Sequence, residues 1–311
     1  MLSIPTPTGV PSADKLRNLS VFASIARLHI TLIAGLGTFT FGWLFTGEYP
    51  WLLAGICALD WFIVNLINRT VDLKEDRASA IPHTEYVARR RKRLSAAIIA
   101  FLIVSFPAVH LLKPSITGLR VACHLLGACY NWPLLPRKRR LKQFYFLKNT
   151  ASGVGFLLTV FGYPLVDAFG KGVFAFPPGI RWTTVCFSAL FFFLFIQSYE
   201  LIYDLRDLPG DTAAGVPTYP VVHGRRAAVR IVYGLIFSSI AVLTAGYAIS
   251  AIPWRIFIMI CAPIIQGLMF KRALIRGISA GDCIRMTWTG AALLFTYHLW
   301  VAARLPGAGL P

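Results

Sequence analysis

The sequence predicts an all-α, polytopic membrane protein: nine transmembrane helices around a central cavity, with an internal repeat. Three observations carry that expectation. With 56% hydrophobic and 14% charged residues and a mean hydropathy of +0.64, the 311-residue chain is more apolar than a water-soluble globule of its length. The apolar residues fall into long unbroken runs, with none of the period-two alternation that marks barrel strands. The basic residues are gathered in alternate links between those runs.

A span across ~30 Å of hydrocarbon needs about 20 largely apolar residues. Nine stretches qualify in chain order: Leu19–Phe45, Trp51–Asn68, Leu94–Leu112, Ile116–Leu134, Phe144–Phe169, Trp182–Tyr203, Ala227–Ile249, Trp254–Phe270 and Thr287–Ala303. The fourth is interrupted by Arg120, His124 and Pro133. Residues 1–18, rich in Pro, Ser and Thr, read as a flexible tail without the basic and apolar segments of a cleavable signal peptide. Residues 19–304 then form one membrane domain, and 305–311 a C-terminal tail. Six cysteines without C-x-x-C spacing support neither a disulfide framework nor a zinc site.

Links after the second, fourth, sixth and eighth runs hold most of the charge: Arg69, Lys74, Arg77 and Arg89 to Arg93; Arg137 to Arg140, Lys142 and Lys148; Arg206, Arg225, Arg226 and Arg230; Lys271, Arg272, Arg276 and Arg285. Short basic links stay cytoplasmic, which places the N-terminus inside and the C-terminus outside. The net charge of +18 is thereby explained by topology, so nucleic acid is not an expected partner, whereas the lipid bilayer is.

The polar ends of runs two and six carry the chemistry. Asn68, Asp72 and Asp76 recur every four residues, and on a helix they share one face with Glu75. Asp204, Asp207 and Asp211 form a second set, with Glu200 upstream, although Pro209 predicts that the helix ends near Asp207 and leaves Asp211 on a loop. An offset of 135 residues superposes the two sets: Leu66 falls on Leu201, Asp72 on Asp207, Asp76 on Asp211, Pro82 on Pro217, and Arg90-Arg91 on Arg225-Arg226. An acidic helix end alone is an ordinary solvated cap; two in matching register point to a duplicated binding unit.

Carboxylates beside an apolar cavity are costly without a compensating cation. Magnesium takes oxygen ligands, commonly carboxylates together with phosphate oxygens, so two facing acidic sets suit a diphosphate clamped through Mg2+. Nearby arginines and lysines, Arg77 among them, would complete the cradle. Aromatic rings near the motifs, Tyr145 and Tyr203 above all, suit stabilisation of an allylic cation.

Asn68-x-x-x-Asp72-x-x-x-Asp76 and Tyr203-Asp204-x-x-Asp207-x-x-Gly210-Asp211 resemble the two aspartate-rich motifs of the UbiA superfamily of intramembrane prenyltransferases. The resemblance extends over the whole membrane region. It implies Mg2+-dependent binding of an isoprenoid diphosphate, ionisation to an allylic cation, and capture by a small acceptor. Carried over by position, Asn68, Asp72, Asp76, Asp204, Asp207 and Asp211 would organise metal and diphosphate, with Asp72, Asp76, Asp207 and Asp211 essential for turnover. Lys148-Asn149 is similar to the family's basic pair at the start of span five, and Arg27 to an arginine near the start of span one, although Leu28 stands where a proline often follows. The second motif is more similar to the branches acting on homogentisate, chlorophyllide or archaeal lipid precursors than to the 4-hydroxybenzoate branch. Two other activities suit the same residues: a UbiA-type terpene cyclase, in which an alkene of the prenyl chain is the nucleophile, and an ion-coupled transporter with a duplicated acidic helix.

Overall fold

The computed structural model describes residues 21–172 and 174–307. The tail expected for residues 1–18 lies outside the described residues, as do residues 308–311 of the expected C-terminal tail. Among the described residues there is no sheet, and the chain is a succession of helices. They are α1 (Leu28–Thr46), α2 (Trp51–Val71), α3 (Leu73–Ala78), α4 (Thr84–Leu112), α5 (Thr117–Asn131), α6 (Leu147–Gly170), α7 (Trp182–Ala214), α8 (Tyr219–Ala248), α9 (Trp254–Arg276) and α10 (Ala280–Ala302).

Seven of these, α1, α2, α4, α6, α7, α8 and α9, are long and apolar enough to cross a membrane. The expected count of nine is therefore not reached by that measure. Helices do occupy the remaining two positions, but α5 has 15 residues, short of the length a perpendicular span needs, and α10 is diluted by Asp282, Arg285, Trp288 and His298.

The charges that interrupt α5 are buried and matched. Arg120 Nε donates to both oxygens of Asp60 in the middle of α2 (2.9 and 3.1 Å), and its Nη atoms donate to the carbonyl and hydroxyl of Ser105 on α4. Tyr163 Oη of α6 donates to Asp60 Oδ2 (2.8 Å), and His124 lies 3.0 Å from Oδ1. A buried carboxylate with this many donors is compensated. The knot ties the short helix to α2, α4 and α6, and Asp60 gave no sign of it in sequence because it stands alone in an apolar run.

Apolar packing fills the centre of the bundle, where Phe41, Phe45, Phe156, Phe161, Phe191 and Phe192 are buried between α1, α6 and α7. The outer faces of α4, α8 and α9 present Leu111, Phe237 and Ile275, each more than 70% exposed, as a lipid-facing surface requires.

Both acidic motifs fold as expected in type but not in detail. After Val71 the helix breaks at Asp72 (φ −88°, ψ 28°) and resumes as α3. The i,i+4 pattern nevertheless survives, because Asp72 N donates to the Asn68 carbonyl (2.9 Å) and Asp76 N to the Asp72 carbonyl (2.8 Å). In the second motif the helix does not stop near Asp207. It continues through Pro209 to Ala214 and is capped by Gly215 in the left-handed region (φ 63°). Proline removes one donor, but packing against α3 and an ion pair at Asp211 hold the last turns, and tertiary contact outweighs local propensity. Asp211 is thus helical, on the same helix as Asp204 and Asp207.

Candidate functional site: one cavity shared by two acidic motifs

The two motifs are in contact. Gly210 of α7 packs onto α3 so closely that a Cβ there would lie 2.8 Å from the carbonyl oxygen of Glu75 and closer still to Ser79 Oγ. Glycine alone permits that approach. Ser79 Oγ also reaches the Asp207 carbonyl at 3.5 Å.

Below this contact lies a cavity of about 630 Å³. Its charged end is lined by Arg27, Asn68, Asp72, Glu75, Asp76, Lys142, Lys148, Asp204, Arg206, Asp207 and Asp211. Its middle is apolar and aromatic, with Phe41, Trp61, Phe156, Phe191, Phe192 and Phe195. Trp61 stacks on Phe156 at 3.8 Å, and its indole N–H donates to Thr159 in a π-helical segment of α6, Leu157–Gly162. The far end reaches Trp254, Met259, Leu293, Tyr297 and Trp300 of α9 and α10. A polar mouth over a long apolar chamber suits an amphiphile with an anionic head and a hydrocarbon tail.

Each motif carboxylate is drawn onto a cation. Asp76 pairs with Arg69, fully buried on α2. Asp72 and Glu75 share Lys142 (2.6 and 3.0 Å) and Arg140 (3.0 and 2.7 Å). Lys148 bridges Asp204 (2.8 Å) and Asp211 (2.9 Å), and Asp207 pairs with Arg206. Burial pushes the Asp72 carboxyl up to about 7 against the pull of Lys142. Burial acts the same way on Glu75 but is outweighed by hydrogen bonds from Asp72, Lys142 and Arg140, which hold Glu75 down at about 2. Asp76 is raised, again by burial, with Arg27 and Arg69 opposing.

With its amide oriented by its partners, Asn68 donates to Asp72 and to Asn131 Oδ1 (3.1 Å) and accepts from Arg27 Nη1 (3.1 Å). Arg27 stands in the left-handed region (φ 47°), an uncommon conformation for arginine, at the turn that opens α1.

Most residues expected at the site therefore converge: Asn68, Asp72, Asp76, Asp204, Asp207, Asp211, Lys148, Arg27 and Tyr203 all line the cavity. Three do not. Arg77 points outward and pairs with exposed Glu85, because one residue on from Asp76 turns its side chain 100° around α3, away from the chamber. Asn149 is buried behind the site and donates to Asp204 Oδ2 (2.8 Å), so it holds a motif carboxylate and does not face the cavity. Tyr145 turns away to hydrogen bond with His223, beside Tyr219 and Phe146, because Phe146 adopts φ 69° just before α6 begins. Neither His83, just before α4, nor His223, in the first turns of α8, lines the cavity.

The cations Arg140 and Lys142 were missed as site residues. Within a run of basic residues they are indistinguishable from topological charge, and only the 3-10 turn Leu141–Gln143 turns Lys142 inward, where it is buried. Tyr130, Ser152 and Glu200 also line the cavity. Among the described residues, no three His, Cys, Asp or Glu side chains close around a point as a metal cage. The donor set, carboxylate and amide oxygens, nonetheless fits a hard divalent cation, and Lys142, Lys148 and Arg206 show that the site already draws positive charge.

A bundle of apolar helices whose duplicated acidic motifs meet at the mouth of one hydrophobic chamber defines a polytopic integral membrane protein. The chain belongs to the UbiA prenyltransferase family, whose sequence pattern matches residues 28–299. No curated protein matches the chain in sequence. Among solved structures, a UbiA homologue from Archaeoglobus fulgidus bound to GPP and Mg2+ is similar at a TM-score of 0.63 with 15% identity, over 91% of this chain and 99% of that one. The apo structure of a UbiA homologue from Aeropyrum pernix K1 gives 0.61 and 14%, over 90% and 98%. At these identities the likeness is one of fold. The A. fulgidus homologue has also been solved bound to DMAPP and Mg2+, and to Cd2+.

Proposed function

We propose that the chain is an intramembrane prenyltransferase that uses a divalent cation, Mg2+ in the cell, to ionise an isoprenoid diphosphate and passes the prenyl group to a small acceptor. The observation that carries this reading is the convergence of Asp72, Asp76, Asp207 and Asp211 with Lys148 and Arg27 at the charged end of a single apolar chamber. Binding of GPP, DMAPP and Mg2+ by a structural neighbour supports the choice of ligand.

In this reading Asn68, Asp72, Asp76, Asp204, Asp207 and Asp211 hold the metal, which would neutralise charge on the departing diphosphate. Lys148 and Arg27 contact the diphosphate directly, and fixed cations in a water-poor site stabilise the leaving group strongly. Asn149 orients Asp204, and Tyr203, whose hydroxyl is bonded to Thr287 and whose ring carries Arg206 at 4.6 Å, borders the chamber where the prenyl chain would begin. The phenylalanines behind it present faces that attract an allylic cation without attacking it.

The membrane domain is taken as residues 19–304, with the N-terminus and the cavity mouth cytoplasmic, on the strength of the basic links at the charged end. Assay of purified protein with GPP and MgCl2, with and without acceptors, tests the activity: diphosphate release must appear and must vanish in EDTA. A cyclic hydrocarbon or alcohol formed without acceptor would replace transfer by cyclisation, and persistence of full turnover in EDTA would remove the reading.

A further inference from the structure

The apolar end of the chamber has a floor. Trp61 on α2, Phe156 on α6, Phe191 and Phe192 on α7 and Phe41 on α1 are the lining residues farthest from the mouth on their helices; among the described residues, nothing beyond them on those four helices lines the chamber. Trp61, Phe156, Phe192 and Phe41 make a continuous layer across the bundle, with successive ring centroids 3.8, 6.3 and 5.3 Å apart. Phe161 backs the layer, stacked on Phe41 at 4.5 Å and 5.4 Å from Phe45. Rings packed at interior density leave no passage for a hydrocarbon chain. The layer is also held in place: Trp61 Nε1 donates to Thr159 Oγ1 (3.0 Å) and the adjacent Asp60 accepts from Tyr163 Oη (2.8 Å), so α2 grips the π-helical segment Leu157–Gly162 within it and just past its end. Only toward α9 and α10 does the lining continue, to Met259, Tyr297 and Trp300.

Trp61 stands eleven residues before Asp72, Phe156 eight after Lys148 and Phe192 twelve before Asp204. At 1.5 Å of helix rise per residue, the layer lies roughly 12–18 Å below the charged end. An isoprene unit adds four carbon–carbon bonds of ~1.5 Å each, or about 5 Å of extended chain, so two or three units reach the rings and a fourth overruns them. We propose that this aromatic layer is a ruler for the donor: the chamber takes isoprenoid diphosphates of two or three units and discriminates against a fourth, which has to bend toward α9 and α10. The ruler rests on the isoprenoid diphosphate reading above and sets the tail length within that class. Trp61 and Phe156 are its specificity-determining residues, and Thr159 is a positioning residue that fixes the indole. Gly155 lies just above the layer: a Cβ there would meet Trp61 at an ordinary 3.5 Å, so a longer side chain would extend over the rings and raise the floor.

The test uses the full chain in lipid nanodiscs with MgCl2, titrated calorimetrically with geranyl, farnesyl and geranylgeranyl thiolodiphosphates, which keep head and tail but resist ionisation. Relative kcat/KM for the three parent diphosphates is read from diphosphate release. Wild type is expected to favour farnesyl over geranylgeranyl by about tenfold or more in both measurements, the scale set by a few methylenes that do not fit a pocket. Trp61→Ala and Phe156→Ala should lower the floor and shrink that gap to within about threefold. Gly155→Leu should act in the opposite direction, turning farnesyl into the disfavoured tail by about tenfold against geranyl. It removes no core ring, so the ruler is tested even where an alanine variant does not fold. Equal use of farnesyl and geranylgeranyl by wild type, a gap that persists in both folded alanine variants, or equal loss of all three tails in Gly155→Leu would overturn the assignment. Binding in the expected order without diphosphate release from any donor would remove the prenyl-transfer reading and leave the ruler standing.

Discussion

The two acidic motifs are copies at an offset of 135 residues, yet each is charge-balanced in its own way. At equivalent positions stand Arg69 and Asp204. The first motif therefore carries an internal cation, and Arg69 of α2 reaches across the break at Asp72 to Asp76 of α3. The second has a carboxylate there and takes Lys148 from α6, which spans Asp204 and Asp211. Their backbones diverge as well: α2 breaks at Asp72, whereas α7 runs unbroken past Asp207 and Pro209. The helices that follow begin at equivalent positions, Thr84 and Tyr219, and the equivalent Glu75 and Gly210 touch. Repetition preserved the carboxylate spacing and the contact between halves, while the means of neutralising the charge was free to change.

If both halves grip one diphosphate, Asp72→Ala and Asp207→Ala should each lower turnover by about 10³-fold or more, alike, because both remove electrostatic stabilisation of the same leaving group. Loss in only one of the two, measured as diphosphate release from GPP, would break the symmetry. The next largest contrast is in stability. Arg69→Ala leaves Asp76 buried without its partner, at a cost of about 3–5 kcal/mol. Arg206→Ala should cost markedly less, because Asp207 is partly exposed, and thermal unfolding of the two variants measures the difference.

Gly210→Ala inserts a methyl group against the Glu75 carbonyl and should cost about 1–3 kcal/mol while prising the motifs apart, so that turnover falls more than stability. A smaller effect is pH-dependent. The Asp72 carboxyl is raised in the folded state from about 3.9 to about 7. The metal-free protein should then lose stability as pH rises through that interval, and Asp72→Asn should flatten the trend in thermal melts. Glu75 has the opposite sign: held at about 2, it contributes stability above its unfolded value that is lost as pH falls toward 2. Smallest of all, Arg77→Ala should leave turnover and melting temperature unchanged, since its exposed pair with Glu85 lies off the site.

The departures from expectation share a cause. Arg77 and Asp76 are neighbours in sequence, but one position is 100° of helix, enough to put one in the chamber and the other in solvent. Tyr145 and Lys148 are three apart, and the left-handed turn at Phe146 sends them in different directions. Spacing records proximity along the chain, and facing is settled by where a helix starts.

Apolar run length and four-residue carboxylate spacing are properties of local chain geometry, so the sequence by itself determined the helical class, the positions of the acidic motifs, their duplication and their placement at the ends of α2 and α7. Which cations answer those carboxylates, that α7 survives Pro209, and that Glu200 lines the chamber with Ser152 as its hydrogen-bond partner were decided by the tertiary structure. Each of these depends on groups dozens of residues away, such as Arg140 and Lys142 against Asp72 or Ser152 against Glu200, which meet only when the helices pack.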